Sequence, residues 1–247
     1  VKSWNPNIII TTGDNNYELG ESSTMDNNIG KYYHEFIYPY TGSYGQGSSI
    51  NRFFPSLGNH DWDCSGCSSN PTPFINYFAL PGNERYYDFT FGPVHFFAID
   101  SDPREPHGIS ATSTQAQWLQ SRLASSTKPL QVVYMHYSPF SSGSSHGSTT
   151  ILQWPYQQWG ADVVISAHDH VYERIIRSGF PYFVNGLGGR SRYNFGNPIS
   201  GSQVRYNGDF GAMLVDVNNN QAIFKFITHT GQTIDTYTLP ISPNQAP

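Results

Sequence analysis

The sequence is poor in charged residues, has only two cysteines and contains no long apolar run. Charged residues make up 13% of its 247 positions, about half the share usual in globular proteins. Its net charge is −5 and it has no block of Lys or Arg, so nothing indicates a surface for nucleic acid or for an anionic membrane. No segment approaches the roughly 20 apolar residues of a transmembrane helix. An aromatic share of 15% instead favours a globular protein with a sizeable core.

The two cysteines, Cys64 and Cys67, lie in a loop rich in Ser, Asn and Pro. A zinc ribbon would need a second such pair. Three alternatives stay open, namely a small-loop disulfide, two free thiols, and a redox or metal-binding pair. The disulfide implies an oxidising compartment, and the chain has no Asn-x-Ser/Thr sequon. We therefore expect a secreted, periplasmic or cell-surface protein of prokaryotic origin.

The chain begins at Val1 rather than Met, and the residues from Val1 to Trp4 have the pattern of the last turn of a helix. We therefore expect a processed or truncated form of a longer chain. The sequence has no internal repeat and no linker that would divide it. Residues 1–247 are accordingly predicted to form one domain.

Apolar, β-branched runs predict strands, and one segment has the pattern of an amphipathic helix. The helix is predicted from Gln115 to Ala124, with a capping box formed by Thr114 and Gln117. A second helix is possible between Leu152 and Trp159. Strands are predicted at 7–12, 53–57, 86–91, 94–100, 130–135 and 162–166, followed by an antiparallel meander after Ala212.

Polar residues of the metal-ligand type follow four of these predicted strands. The four segments are 13–17 (Gly-Asp-Asn-Asn-Tyr), 58–61 (Gly-Asn-His-Asp), 135–137 (Met-His-Tyr) and 167–170 (Ala-His-Asp-His). The carboxyl ends of strands in an open α/β sheet are where sites are built. Carboxylate oxygen together with imidazole nitrogen suits Zn, Fe and Mn, and one shared Asp can bridge two ions.

In this order the four segments resemble the calcineurin-like metallophosphoesterases. A Tyr three residues after Asp14 is similar to the arrangement in purple acid phosphatases, whose tyrosinate binds ferric iron. The resemblance implies an α/β fold, a four-layer α/β/β/α sandwich of two mixed sheets. No GDxG motif, the first motif of that family, precedes the four segments, so we expect the N-terminal strand and its ligand Asp to be missing.

The resemblance also implies a role for each site residue. Two metal ions, Fe with Fe, Zn or Mn, would share Asp14 as the bridging ligand. The ferric-type ion would be held by Tyr17 and His170, and the divalent ion by Asn59, His136 and His168. Three further residues would be catalytic: His60 to orient phosphate or protonate the leaving group, Asp61 to orient His60, and His146 to face the substrate. Alternatives are an aromatic packing role for Tyr17, a ligand role for His60 and a solvated loop position for His146.

The implied function is hydrolysis of a phosphorylated small molecule, a phosphate monoester, by attack of a metal-bound hydroxide. The first alternative is a phosphodiesterase or nucleotide hydrolase on the same scaffold. The second is a non-catalytic extracellular surface or assembly protein with a degenerate site. A sugar-binding module would leave the four segments unexplained. The sequence indicates no oligomeric state.

Overall fold

The computed structural model describes residues 1–241, and most of its regular structure is β-sheet. The strands are β1 (Ile9–Thr11), β2 (Phe53–Pro55), β3 (Tyr87–Phe91), β4 (Val94–Ala98), β5 (Leu130–Tyr134), β6 (Val163–Ser166), β7 (Tyr172–Arg177), β8 (Phe180–Asn185), β9 (Ser202–Tyr206), β10 (Gly211–Val217), β11 (Gln221–Thr228) and β12 (Thr233–Pro240). The α-helices are α1 (Ser22–Met25), α2 (Lys31–Tyr33), α3 (Asn59–Trp62), α4 (Thr72–Tyr77), α5 (Thr114–Ala124) and α6 (Tyr156–Trp159). Between and beside them lie 3-10 turns at Lys2–Trp4, His34–Phe36 and Thr150–Leu152, and a π turn at Asp26–Gly30.

The largest sheet has seven strands in the order β3-β4-β5-β6-β8-β7-β9. Its central strands β4, β5, β6 and β8 are parallel, whereas β3, β7 and β9 pair antiparallel with their neighbours. The pair β1-β2 is parallel, and β10, β11 and β12 form the predicted antiparallel meander. The expected α/β fold with mixed sheets is therefore confirmed.

The seven-stranded sheet is covered on both faces, so its inner strands β5 and β6 are buried along their whole length. Buried parallel strands require apolar side chains on both faces, and these strands supply Val and Ile. One face packs against α5 and α6 through a cluster that includes Leu119, Leu123 and Tyr156. The other face packs against β1, β2 and the meander, where every second residue of β11 is buried. Both layers leave the carboxyl ends of β1, β2, β5 and β6 free to carry side chains.

Two details of the helix prediction need correction. The cap of α5 is Ser113, whose side chain accepts a hydrogen bond from the backbone of Ala116 at 3.2 Å, so the predicted Thr114–Gln117 box is displaced by one residue. The predicted helix from Leu152 to Trp159 is divided between a 3-10 turn and α6. Pro155 explains the break, because the residue before a proline is disfavoured in helical conformation.

Cys64 and Cys67 are joined by a disulfide, the first of the three alternatives for this pair. No helix among residues 1–241 is long and apolar enough to cross a membrane.

Candidate metal centre

Side chains from the ends of β1, β5 and β6 meet at one point of the molecule. The donor atoms of Asp14, His136 and His168 all lie within 4.8 Å of one another. The sequence separates Asp14 from the two histidines by more than a hundred positions, and the neighbouring strand ends bring them together. Asp14 and His168 both have left-handed backbone conformations, with φ of 53° and 66°. Such conformations are strained for residues other than Gly and tend to occur at functional sites.

The Asp14 carboxylate is the centre of this group. Its Oδ2 accepts a hydrogen bond from the Tyr17 hydroxyl at 2.8 Å and lies 3.2 Å from His136 Nε2. Its Oδ1 accepts a hydrogen bond from the backbone of His60 at 3.0 Å. Burial raises the pKa of Asp14, but the nearby charge of His136 and these hydrogen bonds outweigh burial and hold that pKa well below its ordinary value. The carboxylate is therefore ionised, and its Oδ2 contacts both a phenol and an imidazole.

Two imidazoles form the first donor pair at Asp14. His136 Nδ1 donates to the carbonyl of Thr12 at 2.8 Å, which leaves Nε2 directed at Asp14. His168 Nδ1 lies 3.0 Å from that Nε2. Burial, together with the charge of His136, lowers the pKa of His168 to about 2. The loop fits closely here, because a Cβ atom on Gly13 would lie 2.6 Å from the Cβ of His136.

A phenol and a third imidazole form the second donor pair at Asp14. The Tyr17 hydroxyl is 3.2 Å from His170 Nε2, and His170 Nδ1 donates to the carbonyl of Ser191 at 2.6 Å. A histidine whose Nδ1 is fixed by a carbonyl presents Nε2 as a ligand atom, the usual outer-shell arrangement of metal sites. Burial, followed by the charge of Asp14, raises the pKa of Tyr17.

Asn59 is the first residue of α3, directly before His60, whose backbone donates to Asp14. Asn59 Oδ1 is buried and accepts no hydrogen bond within the described part of the chain. Such an atom is uncommon in native proteins, because an unsatisfied buried acceptor costs about 1–3 kcal/mol. Its backbone carbonyl, in contrast, accepts a hydrogen bond from Arg104 at 3.1 Å, so the residue is held while its amide oxygen is left without a partner.

The sequence model of the calcineurin-like phosphoesterases matches residues 1–172, which include all the residues of this group. The chain belongs to this family. Members of the family hold divalent or trivalent metal ions. The donors fit such ions, since carboxylate, imidazole, amide and phenol oxygen or nitrogen atoms suit Fe, Zn and Mn. Within residues 1–241, Asn59 Oδ1 is also a buried acceptor without a hydrogen-bond partner.

Individual relatives agree with this assignment at low sequence identity. Acid phosphatase type 7 of Danio rerio is 23% identical over 201 residues, which cover 68% of this chain and 41% of the relative. Across the curated relatives that it matches, the chain spans 24% to 41% of their length.

Two solved structures share the fold. A purple acid phosphatase from yellow lupin (Lupinus luteus) seeds aligns with a TM-score of 0.66 and 21% identity, over 78% of this chain and 41% of that one. GAP50, described as the anchor in the inner membrane complex of Plasmodium, aligns with a TM-score of 0.72 and 20% identity, over 99% of this chain and 81% of that one.

The three residues predicted to be catalytic lie beside the donor group, but Asp61 makes different contacts from those expected. His60 Nδ1 donates to the carbonyl of Glu18 at 2.5 Å, and not to Asp61. The Asp61 carboxylate is fully buried and accepts from the backbone of Gly58 at 2.9 Å and from the side chain of Asn15 at 2.9 Å. The backbone of Asn15 also donates to Asp61, at 3.1 Å. Asp61 thus ties the loops after β1 and β2 together, because it accepts hydrogen bonds from N–H groups of both.

His146 lies on an exposed loop, but its ring stacks on that of His168 with centroids 3.7 Å apart. The residue that fixes this loop is Asp169, to which the sequence analysis assigned no role. Its fully buried carboxylate accepts from Ser141 Oγ at 2.6 Å and from the backbone of His146 at 3.0 Å. Asp169 lies between His168 and His170 in the sequence, and this position was the sequence feature that could have indicated its role.

A cation at the mouth of the site was also missed. The Arg190 guanidinium lies over the Tyr17 ring, 5.1 Å from its centroid, and forms an ion pair with Glu18. The His60 ring is also near Tyr17, at 4.4 Å between centroids. The Tyr17 ring thus packs against its neighbours while its hydroxyl reaches Asp14. Arg190 lies outside the four segments, so their spacing could not indicate it.

Proposed function

We propose that this chain is a binuclear-metal phosphoesterase that hydrolyses phosphate monoesters. One observation carries the proposal: Oδ2 of the Asp14 carboxylate contacts two separate pairs of donors. His136, 3.2 Å from that atom, lies against His168, and Tyr17, 2.8 Å from it, lies against His170. A carboxylate between two donor sets is the arrangement with which a protein bridges two ions.

In this proposal Asp14 would contribute to both ion positions. Tyr17 and His170 would hold one ion, and Asn59, His136 and His168 would hold the other. When bound, such ions neutralise phosphate charge and lower the pKa of water, so that a nucleophile forms near neutral pH. The carbonyls of Thr12 and Ser191 keep two of the imidazoles in the tautomer that a ligand needs.

His60 is proposed as the acid that protonates the leaving oxygen. Its Nδ1 is fixed by the carbonyl of Glu18, so Nε2 is the nitrogen available to a substrate. A positioned acid of this kind contributes roughly 10²–10⁴-fold to a rate. His146, stacked on His168, is proposed to contact the phosphate from the opposite loop. Asp61 positions both ligand loops and is assigned no contact with the substrate.

Hydrolysis of phenyl phosphate by protein loaded with iron and zinc tests the proposal. The expected result is turnover that falls by at least about a hundredfold in His60→Ala. His107→Ala is the matched control, because His107 is an exposed histidine that bonds to Tyr86 rather than to the site. Faster turnover of diphenyl phosphate than of phenyl phosphate would favour the phosphodiesterase alternative. Metal-loaded protein with no turnover of either ester would refute the proposal.

A non-catalytic surface or assembly role is the second candidate. Within residues 1–247 no GDxG motif precedes Asp14, so the proposed site has only Tyr17, His170 and the shared Asp14 around one ion position. One structural relative is described as an anchor, and a likeness of 20% identity extends only to the fold. Retention of the other donors favours the catalytic role. Because Cys64 and Cys67 form a disulfide, we propose an extracytoplasmic location whether the role is catalytic or non-catalytic.

A further inference from the structure

A cavity of about 410 Å³ adjoins the candidate metal centre on the His170 side. It is lined by Ser191, Arg192, Tyr193, Asn194, Asn207 and Phe210. The same wall supports the centre, because the carbonyl of Ser191 accepts the hydrogen bond of His170 Nδ1. The Tyr193 ring stacks on the His170 ring with centroids 4.1 Å apart and an interplanar angle of 10°. The cavity and the centre therefore adjoin each other along Ser191 and Tyr193.

Arg192 is the charged residue of this cavity, and its guanidinium is held in place without being neutralised. Its Nη1 donates to the carbonyls of Asn207, at 3.2 Å, and of Gly208. Its guanidinium carbon lies 5.6 Å from the centroid of the Phe210 ring. Among residues 1–241 no carboxylate pairs with Arg192, and its Nε and Nη2 make no hydrogen bond to protein. Arg190, in contrast, is paired with Glu18.

The rest of the wall is fixed by hydrogen bonds that do not involve Arg192. The Asn207 side chain donates to the carbonyl of Tyr193 at 2.8 Å. The backbone of Ser144 donates to the carbonyl of Asn194 at 2.9 Å. The cavity is therefore ordered before anything binds, and its volume lies in the range of small-molecule sites, about 300–1,000 Å³.

We infer that this cavity receives the leaving group of the substrate and that Arg192 binds a second anionic group on it, a phosphate or a carboxylate. The inference rests on the proposed function, because it takes the reacting phosphate to lie at the metal centre. A guanidinium with two free N–H groups matches the two oxygens of either anion. Tyr193 and Phe210 provide apolar surface for the carbon skeleton between the two anions. The protein has a net charge of −5, so an unpaired guanidinium in this cavity favours a substrate that carries a second anionic group.

The test is a binding measurement, so that it does not depend on turnover. Three phosphonates that cannot be hydrolysed are titrated by calorimetry into metal-loaded protein: benzylphosphonate, its para-carboxylate derivative and its para-phosphonomethyl derivative. The two derivatives distinguish a carboxylate from a second phosphate-like group. We expect at least one of them to bind about tenfold more tightly than benzylphosphonate. This factor is at the lower end of the range for a hydrogen bond to a charged group, and the lower end applies because Arg192 is exposed.

Arg192→Gln is expected to abolish this preference. Arg205→Gln is the matched control, because Arg205 is also exposed, donates to one backbone carbonyl and lies over a Phe ring, yet does not line the cavity. It should keep the preference. Thermal unfolding of both variants checks that the fold is intact.

Three results would overturn the inference: equal affinity for all three ligands in the unchanged protein, a preference that persists in Arg192→Gln, and no binding of either derivative. None of them decides the proposed function, which depends on whether phenyl phosphate is hydrolysed. An enzyme that hydrolyses phenyl phosphate but shows no Arg192-dependent preference would retain the proposed function and lose this inference.

Discussion

Replacement of Asn59 by Leu separates a metal ligand from a structural residue more clearly than any other change in this site. Leu resembles Asn in size and shape but has no amide. Asn59 Oδ1 is buried and has no hydrogen-bond partner among the described residues, so its removal breaks no bond that the structure contains. The hydrogen bond from Arg104 goes to the backbone carbonyl of Asn59 and survives the change.

The structure predicts effects of opposite sign on stability and on metal binding. A buried acceptor without a partner costs about 1–3 kcal/mol, so Asn59→Leu should unfold at the same denaturant concentration as the unchanged protein or a higher one when both are free of metal. Metal affinity should fall by at least about tenfold, since even the loss of an outer-shell partner costs about 10–100-fold.

The assay is chemical denaturation of chelator-treated protein, combined with competitive metal titration. Asn16→Leu is the matched control for stability, because Asn16 is a buried amide with all its partners. Its side chain donates to the carbonyl of Glu21 at 2.8 Å and accepts from Thr24 at 3.0 Å and from Asn28 at 2.7 Å. We expect Asn16→Leu to lose about 2–4 kcal/mol of unfolding free energy, roughly the value of three hydrogen bonds.

Two results would refute this reasoning. Metal-free Asn59→Leu that is less stable by an amount similar to that of Asn16→Leu would show that the Asn59 amide has a structural partner. Unchanged metal affinity in Asn59→Leu would show that the amide oxygen is not a ligand.

Three further variants test other parts of the account. Asp61→Asn places an amide donor against the N–H groups of Asn15, so denaturation should show a loss of about 2–3 kcal/mol; an unchanged midpoint contradicts the loop-tying role. Burial raises the pKa of Asp162 from 3.8 to about 6 against a hydrogen bond from Gln131. The native state therefore binds that proton more tightly, and its stabilising contribution, complete below pH 4, is lost as pH rises through 6. Asp162→Asn should thus be more stable than the unchanged protein by about 1–2 kcal/mol of unfolding free energy at pH 8, and the two proteins should be equally stable near pH 3. A stability difference that does not change with pH would contradict this. Iron-loaded protein should show a visible absorption band that Tyr17→Phe removes, and a band that persists excludes a Tyr17 ligand.

The strand ends were predictable because apolar runs followed by polar residues are a local pattern. The runs before Asp14, Asn59, His136 and His168 gave the strands β1, β2, β5 and β6, and the donors of the first, third and fourth meet as expected. The hairpin β3-β4 and the meander β10–β12 were also predicted, since each alternates or turns within a short segment.

Strands β7, β8 and β9 were not predicted, because their pattern depends on distant partners. Glu173 in β7 is fully buried and accepts from the side chain of Ser142 at 2.6 Å and from Ser202 at 2.6 Å. Arg174 in the same strand pairs with Asp235 of β12 at 2.7 Å. Adjacent charged residues favour a loop in a single sequence, and only the tertiary contacts make them compatible with a sheet.

Contacts that involve residues outside the motifs could not be predicted from the sequence either. The motif placed Asp61 next to His60, but the backbone directs its carboxylate towards Asn15 instead. Arg190 and Arg192 follow a glycine-rich turn whose sequence has no periodic pattern. They lie near the site because Ser191, the residue between them, accepts the hydrogen bond of His170 Nδ1. The spacing of motifs in a sequence identifies the candidate metal ligands. The residues that orient those ligands are distant in sequence and become apparent only in the folded structure.

The most direct test of the central claim is the metal content of protein isolated without chelators, measured by elemental analysis against protein concentration. A centre with Asp14 between two donor sets predicts two transition-metal ions per chain, and about one or fewer in Asp14→Ala. Zero or one ion per chain in the unchanged protein, under conditions in which it is folded, would contradict the two-metal account and leave the non-catalytic role as the better one.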